Sequence, residues 1–502
     1  MRVAPGHDRT LPRATMLFNS PEFLTVFLPA VCLIYFLLPR RAGIEVGIGF
    51  LFLASLFFYG WGEPRYVVMF AGAMVINWLL GGMLLEPQRS ERSKTTILTL
   101  GIVANLLLLG FFKYFNFAVS IGADLGVLPA FRLDVPFPLA ISFFTFQKIA
   151  FLVDCRRGAI RRDGFLTFGL FVSFFPQLIA GPIVYFREIV PQFLDPARHR
   201  VDWENIRHGA ALVTIGVFKK AVLADAFALW VSPGFDHATQ LSLIEAWVTS
   251  LAYTLQLYFD FSGYTDIAIG AALLFNFRLP ANFNSPYRAT SIQDFWLRWH
   301  ITLGRFLREY VYIPLGGNRN GLVATCRNLF VTFLLGGLWH GAGWTFIAWG
   351  AAHGAAMVIH RLWHRAGLVM PTLLAWAVTL LFVHLCWVLF RAPDFAAAIK
   401  VFRGMLGMDG ILLHTSLVEQ IPLAHLVFEP TRVLPAIGDG TRLALVQAIV
   451  FLGIGVAIAL LPRNSLTLPR RWLYVLAIAA VPFVINAVFF REIPSPFLYF
   501  RF

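Results

Sequence analysis

The feature that most constrains this chain is the recurrence of apolar runs about as long as a helix needs to cross a bilayer. They occupy roughly 22–38, 44–61, 66–85, 95–115 and 137–154, then 326–347, 345–362, 371–390, 443–461 and 472–490. About 20 apolar residues, each rising about 1.5 Å, span the hydrocarbon layer. In lipid the backbone must satisfy its own hydrogen bonds, so such runs have to be helices. The reading is an all-α polytopic membrane protein with about 10–12 crossings plus re-entrant and interfacial helices. Composition agrees: 58% of the residues are hydrophobic and 14% charged, against about 25% charged in soluble domains. A soluble enzyme on a single tether is excluded.

The formal charge of +14 is not a nucleic-acid footprint, because the basic residues sit in short loops between apolar runs. These are Arg40-Arg41, Arg89 to Lys94, Arg156 to Arg162, Arg361 to Arg365 and Arg463 to Arg471. Topology signalling and contact with anionic membrane lipids account for them. With strict alternation, the loops after the first, third and fifth runs share one side. The positive-inside rule makes that side cytoplasmic and puts the N-terminus outside the cytoplasm. Cys32, Cys155, Cys326 and Cys386 are scattered without CxxC spacing, so neither a disulfide framework nor a zinc site is expected. Residues 1–15 form a polar, basic extension without a cleavable-signal pattern. Met16 is a second candidate start, which leaves 16–502 as a single transmembrane domain.

The middle of the chain is less regular. Segment 164–186 carries Pro176, Gly181 and Pro182, which suits a broken helix buried in protein. Segments 206–231 and 242–275 are helical in period but hold Lys219, Lys220, Asp225, Gln256, Asp260 and Asp266. Region 276–320 is too polar to face lipid and too aromatic for a free loop. Segment 404–442 is the longest soluble excursion and looks too small for a domain. No internal repeat is visible, which weighs against inverted-repeat transporters.

Ionisable residues inside spans are costly unless paired or wetted, so they mark candidate sites. Gln256, Asp260 and Tyr264 stack at i, i+4 and i+8 on one helical stripe that must face the interior or a watery path. The structural alternative is Asp260 paired with an arginine, locking two helices together; direct catalysis and lining of a substrate path are the others. A second cluster runs Asp294-Phe-Trp296-Leu-Arg298-Trp299-His300, with Gly336-Gly337-Leu-Trp339-His340-Gly341 forty residues on. Glycine permits close approach of backbone or ligand, tryptophan walls off water, and a buried neutral imidazole can act as a general base. His353, His360 and His364 share one stripe but lack an accompanying acid, so interfacial packing rather than metal binding is expected. There is no GxSxG, Walker loop, HEXXH or His-x4-Asp pattern: Arg305 and Thr345 stand five residues after the two histidines.

Seven ordered motifs then make the chain resemble the membrane-bound O-acyltransferase family, in particular its alginate O-acetylation branch, related to the D-alanine transferases of teichoic acid. They are Phe18-Asn-Ser-Pro-Glu-Phe23, Ile141-Ser-Phe-Phe-Thr-Phe-Gln147, Phe175-Pro-Gln-Leu-Ile-Ala-Gly-Pro-Ile183 and Tyr258-Phe-Asp260-Phe-Ser-Gly-Tyr264. The others are Phe295-Trp-Leu-Arg-Trp-His300, Tyr312-Ile-Pro-Leu-Gly-Gly-Asn318-Arg319 and Leu338-Trp-His340-Gly341, with Phe497 to Phe502 a similar C-terminus. The resemblance implies a helical ring with a tunnel through a thinned membrane. It implies His340 as catalytic histidine and His300 as its companion; Trp339, Trp299, Arg298, Asp260, Gln256, Tyr264, Asn318 and Gln147 are expected as substrate-path or structural support. It implies acetyl-CoA or another acyl thioester as donor, no tightly bound cofactor or metal, and a polysaccharide acceptor such as an alginate-like exopolysaccharide. A periplasmic SGNH-hydrolase-like acetyltransferase is the expected partner, and the bacterial inner membrane the expected location. His300 or an amide near Gly336-Gly337 would steady the oxyanion. The rival readings are a transporter of acylated lipid or sugar, and a family member acting on teichoic acid or peptidoglycan.

Overall fold

The computed structural model describes residues 16–38, 43–62, 64–179, 181–420, 424–431, 434–437, 442–490 and 497–498. The N-terminal extension, the Arg40-Arg41 loop, Ala180 of the third motif and the last four residues lie outside the described residues. The chain is helical almost throughout. A π-helical turn, Glu22–Phe27, leads into α1 (Leu28–Leu37), followed by α2 (Ile44–Gly62), α3 (Arg65–Leu85), α4 (Glu91–Asp124) and α5 (Ile141–Arg156). Short helices α6 (Phe165–Ser173), α7 (Phe175–Leu178) and α8 (Phe186–Phe193) precede α9 (Trp203–Val217), α10 (Asp225–Ser232) and α11 (Leu243–Leu274). Next come α12 (Ile292–Arg298), α13 (Ile301–Leu307), α14 (Gly321–His340), α15 (Trp344–Arg365), α16 (Thr372–Arg391), α17 (Phe395–Met405) and α18 (Thr415–Val418). The last two are α19 (Arg442–Ala459) and α20 (Arg470–Phe489).

Six of these, α2, α3, α4, α14, α16 and α20, are long and apolar enough to cross a membrane. Two shorter apolar helices, Glu22–Leu37 and Leu443–Ala459, add to them. The larger number expected from hydropathy counted helices such as α5 and α15, which are shorter or more polar. Segment 164–186 is broken as its prolines require. The excursion after α17 contains a three-residue parallel pair, β1 (Leu412–His414) with β2 (Glu429–Thr431), beside the single turn of α18.

The chain forms two compact units, and the division falls inside α11, between Gly263 and Tyr264. The first comprises Met1–Val217, Tyr264–Pro280 and Arg470–Phe502. The two phenylalanines that bound its first motif are buried core: the Phe18 ring lies 4.8 Å from Phe23 and 4.7 Å from Tyr264. Arg156 pairs with Glu91 at 2.6 Å, bringing the last turn of α5 to the first turn of α4, as loops on one side require.

The second unit comprises Phe218–Gly263 and Ala281–Pro469. Its most extensive helix pair is α14 against α15. A Cβ on Gly337 would lie 2.4 Å from the Phe346 carbonyl oxygen and 2.8 Å from Gly350 Cα, so glycine is what lets these backbones touch. Hydropathy ran the first of these spans through to 347. The structure instead ends α14 at His340 and starts α15 at Trp344, with Gly341 in extended conformation between them. An apolar break of this kind carries no polarity signal, so hydropathy passes over it.

Candidate active site

The break between α12 and α13 holds His300. Its φ of 44° lies in the left-handed region, unusual for a non-glycine residue and typical of functional sites. The strain is held by pairing with the strand-like stretch before it: Ile301 N–H donates to the Asn282 carbonyl at 3.0 Å, and Asn284 N–H to that of Arg298 at 2.9 Å. The Asn282 side chain completes the clamp. Its Oδ1 accepts from Thr302 N–H at 3.2 Å and the Thr302 hydroxyl at 2.9 Å, and lies 3.1 Å from His300 Nδ1.

That geometry fixes a tautomer. A backbone N–H only donates, so the amide atom facing Thr302 is the oxygen. His300 Nδ1 must then carry the hydrogen and donate it, leaving the lone pair on Nε2. His300 lies in none of the six candidate spans, and burial holds its imidazole well below the ordinary histidine value. It is neutral at ordinary pH and acts at Nε2 as an acceptor.

His340, the last residue of α14, is 3% exposed. Its ring centroid lies 6.4 Å from that of His300. Trp339 at 4.9 Å, Trp349 at 5.1 Å and Phe390 at 5.1 Å surround it, and Phe261 meets His300 edge-on at 4.7 Å. The two histidines therefore share a dry aromatic cage within one unit. The glycines beside His340 do not open space around it, because Gly337 packs on α15 and a Cβ on Gly341 would strike the Phe346 ring at 2.2 Å.

The remaining sequence candidates divide. Trp339 lines the cage. Trp299 is 1% exposed and stacks on Phe295 at 5.7 Å, supporting the His300 turn from behind. Arg298 sits at the half-buried edge, paired with Asp294 at 2.7 Å. Asn318 is exposed and accepts from the Tyr312 hydroxyl, away from the cage. Gln147 and Tyr264 belong to the first unit, where Tyr264 stacks between Phe18 and Phe497. Gln256 is buried, and its Oε1 has no hydrogen-bond partner among the described residues.

Asp260 does pair, but with a lysine rather than an arginine. Lys220, on the π-helical segment Phe218–Ala224, reaches Asp260 at 2.9 Å and Asp225 at 3.1 Å. A helical period read at 3.6 residues does not anticipate the extra residue of a π turn, which sets where Lys220 points. The stripe of His353, His360 and His364 also needs correction. His360 binds Gln293 at 3.2 Å near an exposed edge, as interfacial packing would have it. His353 is 0% exposed and lies tilted against Trp349 at 4.6 Å, one ring away from His340. No group of three or more metal-ligating side chains occurs among the described residues, and all four cysteines are free. Asn282, Trp349 and Phe390 escaped the sequence reading, and His353 was read there as interfacial packing. An asparagine in the stretch Asn282-Phe-Asn284 before the histidine motif was the one available hint.

Fold and site together define a multi-pass helical membrane protein whose second unit encloses two histidines in an aromatic cage, an arrangement suited to taking a proton from a hydroxyl. The membrane-bound O-acyltransferase (MBOAT) family model matches residues 92–391, and the chain belongs to that family. It is 46% identical over 428 residues to the peptidoglycan O-acetyltransferase of Helicobacter pylori, covering 79% of this chain and 81% of that one. To the probable alginate O-acetylase AlgI of Pseudomonas aeruginosa it is 40% identical over 399 residues, covering 78% and 75%. The teichoic acid D-alanyltransferase of Bacillus subtilis is 27% identical over 274 residues, covering 51% of this chain and 69% of the relative. The protein is an acyltransferase, and the transporter reading falls away as its primary activity.

Proposed function

We propose that the protein moves an acetyl group from a cytoplasmic thioester, such as acetyl-CoA, to hydroxyls of an extracytoplasmic polysaccharide, with His340 as general base. It works in the bacterial inner membrane with its N-terminus periplasmic, binds no cofactor tightly, and passes acetyl groups on with a periplasmic SGNH-hydrolase-like partner. The observation that carries this reading is the enclosed histidine pair, because an imidazole shielded from water keeps its lone pair for a substrate proton.

In the reaction, His340 takes the proton of the acceptor hydroxyl as its oxygen attacks the thioester carbonyl. His300, its hydrogen committed to Asn282, offers Nε2 to a second hydroxyl or to the incoming one, orienting it. The aromatic walls exclude water that would hydrolyse the thioester. The tunnel implied by family membership brings donor and acceptor from opposite faces, with Gln256 a candidate lining residue.

An alginate-like exopolysaccharide is the acceptor we favour. Peptidoglycan is the second reading, supported by the 46% identity to the Helicobacter pylori relative. Reconstituted protein should be given radiolabelled acetyl thioester on one face and each polymer, with and without the periplasmic partner, on the other. Base-labile label on alginate supports the first reading and on peptidoglycan the second. Hydrolysis of donor with label on neither polymer would sink both.

A further inference from the structure

Two buried nitrogens beside the histidine cage carry hydrogens that no described acceptor takes. His353 accepts the Trp296 indole N–H on Nδ1 at 3.3 Å. An indole nitrogen only donates, so Nδ1 holds a lone pair, the ring is neutral, and its one hydrogen sits on Nε2. That Nε2 is buried with no hydrogen-bond partner among the described residues. One helical turn earlier on α15, Trp349 is 1% exposed, and its Nε1–H is in the same condition. The two rings lie 4.6 Å apart, and the Trp349 ring meets that of His340 edge-on at 5.1 Å.

Buried N–H groups without acceptors are rare and costly, and a pair on adjacent turns of one helix next to a proposed base calls for an explanation. Both are neutral donors in a dry aromatic setting, where a hydrogen bond to a developing negative charge is strong. The candidates that the sequence offered for that task are engaged elsewhere. The amides of Gly336 and Gly337 lie within α14, where they serve the helix's own hydrogen bonds. His300 has spent its hydrogen on Asn282 and presents a lone pair.

We propose that Trp349 Nε1–H and His353 Nε2–H bind the carbonyl oxygen of the acyl donor and stabilise the oxyanion of the tetrahedral intermediate. The inference rests on the reading of His340 as base. The acceptor oxygen forms a bond to the carbonyl carbon, and its proton passes to His340. The carbonyl π pair moves onto the oxygen held by the two donors. On collapse that pair re-forms the carbonyl, the carbon–sulfur bond breaks, and the leaving thiolate recovers the proton from His340. The products are the ester and the free thiol. The donor pair thus makes Trp349 and His353 catalytic residues, although neither exchanges a proton.

The test uses the full-length protein in lipid nanodiscs with a carbonyl-labelled acetyl thioester and a glycan acceptor. Trp349→Phe and His353→Phe keep a ring and remove a donor. Each should lower kcat by about a hundred- to a thousandfold, the range for loss of one oxyanion donor, with KM changed by only a few-fold. His353→Gln can accept from Trp296 and donate from its amide, and should recover much of the loss. In wild type the carbonyl stretch of bound donor should lie below its frequency in water, and both phenylalanine variants should move it back. Because the band is read on folded, donor-bound protein, a variant of low stability still answers. Two phenylalanine variants with kcat within about threefold of wild type would overturn the proposal. So would losses of activity that leave the carbonyl band unmoved, since these mark a packing role. A fully active His340→Gln variant would instead remove the reading of the base, a result separable from either outcome.

Discussion

Two buried polar clusters in the second unit make opposite use of burial. Around Lys220, one ammonium faces the Asp260 and Asp225 carboxylates at 2.9 Å and 3.1 Å, and charge is answered by charge. Around His340, the groups are aromatic rings, and Trp349 and His353 keep hydrogens that nothing described accepts. The first cluster is closed on itself and binds helices; the second holds hydrogen-bonding capacity in reserve. A sequence shows both only as polar residues in apolar surroundings. What separates them is whether their valences are filled from within.

The contrast is broken most directly at His340. His340→Gln keeps side-chain volume and a donor but cannot take a proton. Acyl transfer should fall by about a hundredfold to ten-thousandfold, the contribution of a positioned base. The melting temperature should change little, because no charged partner is stranded. A variant that melts early and retains its rate per folded molecule would put His340 with the structural cluster.

Asp260→Ala should do the reverse. It strands part of the Lys220 charge in a place that is 1% exposed, and breaking a buried pair costs about 3–5 kcal/mol. Thermal unfolding in detergent should move down by several degrees, while kcat per folded molecule stays within a few-fold. Full stability with lost activity would transfer Asp260 to the catalytic group.

Asn282 lies between these extremes. Asn282→Leu removes the acceptor that fixes the His300 tautomer, and a fall of about ten- to a hundredfold in kcat is expected from a mispositioned acid–base group. Asn282→Asp keeps the acceptor and adds a negative charge, which favours the imidazolium and raises the His300 value. In wild type, burial keeps His300 neutral well below its ordinary range, so its titration should leave the rate unchanged from pH 6 to 8. In the aspartate variant the acidic limb of the rate profile should move to higher pH, a displacement that a purely structural asparagine would not produce.

Much of this fold was legible because the bilayer is a strict solvent. Apolar length located α2, α3, α4, α16 and α20 to within a few residues, apart from the longer ends of α4, and proline and glycine marked the break between α6 and α7. Hydropathy passed over the break after His340, since the residues that make it are small and apolar. The two histidines stood out as polar groups framed by aromatic residues, and their motifs pointed to a family. Their partners did not stand out. Asn282 acts across a left-handed turn, Lys220 from a π turn, and His353 through its Nδ1 contact with Trp296, and each depends on direction rather than residue type or spacing.

The smallest effect belongs to Arg298, which lies two residues before His300 yet faces outward. Its guanidinium bonds Asp294 at 2.7 Å with both side chains about 30% exposed (30% and 28%), and this is an i, i+4 pair on a short helix. Screened pairs of that kind contribute about 0.3–1 kcal/mol. Asp294 would keep other work after the loss: its Oδ2 accepts from Thr290 N–H at 3.2 Å, and its own N–H donates to Ser291 Oγ at 3.0 Å, capping α12. The second Arg298 contact, to the Asn284 carbonyl at 3.4 Å, is long and duplicates the backbone bond already joining those residues. Arg298→Ala should therefore lower the melting temperature by about a degree or two and leave kcat within twofold, with the difference shrinking in high salt. A loss of tenfold or more that salt does not relieve would mean that the guanidinium reaches a substrate, and would extend the reserved chemistry of the cage to its edge.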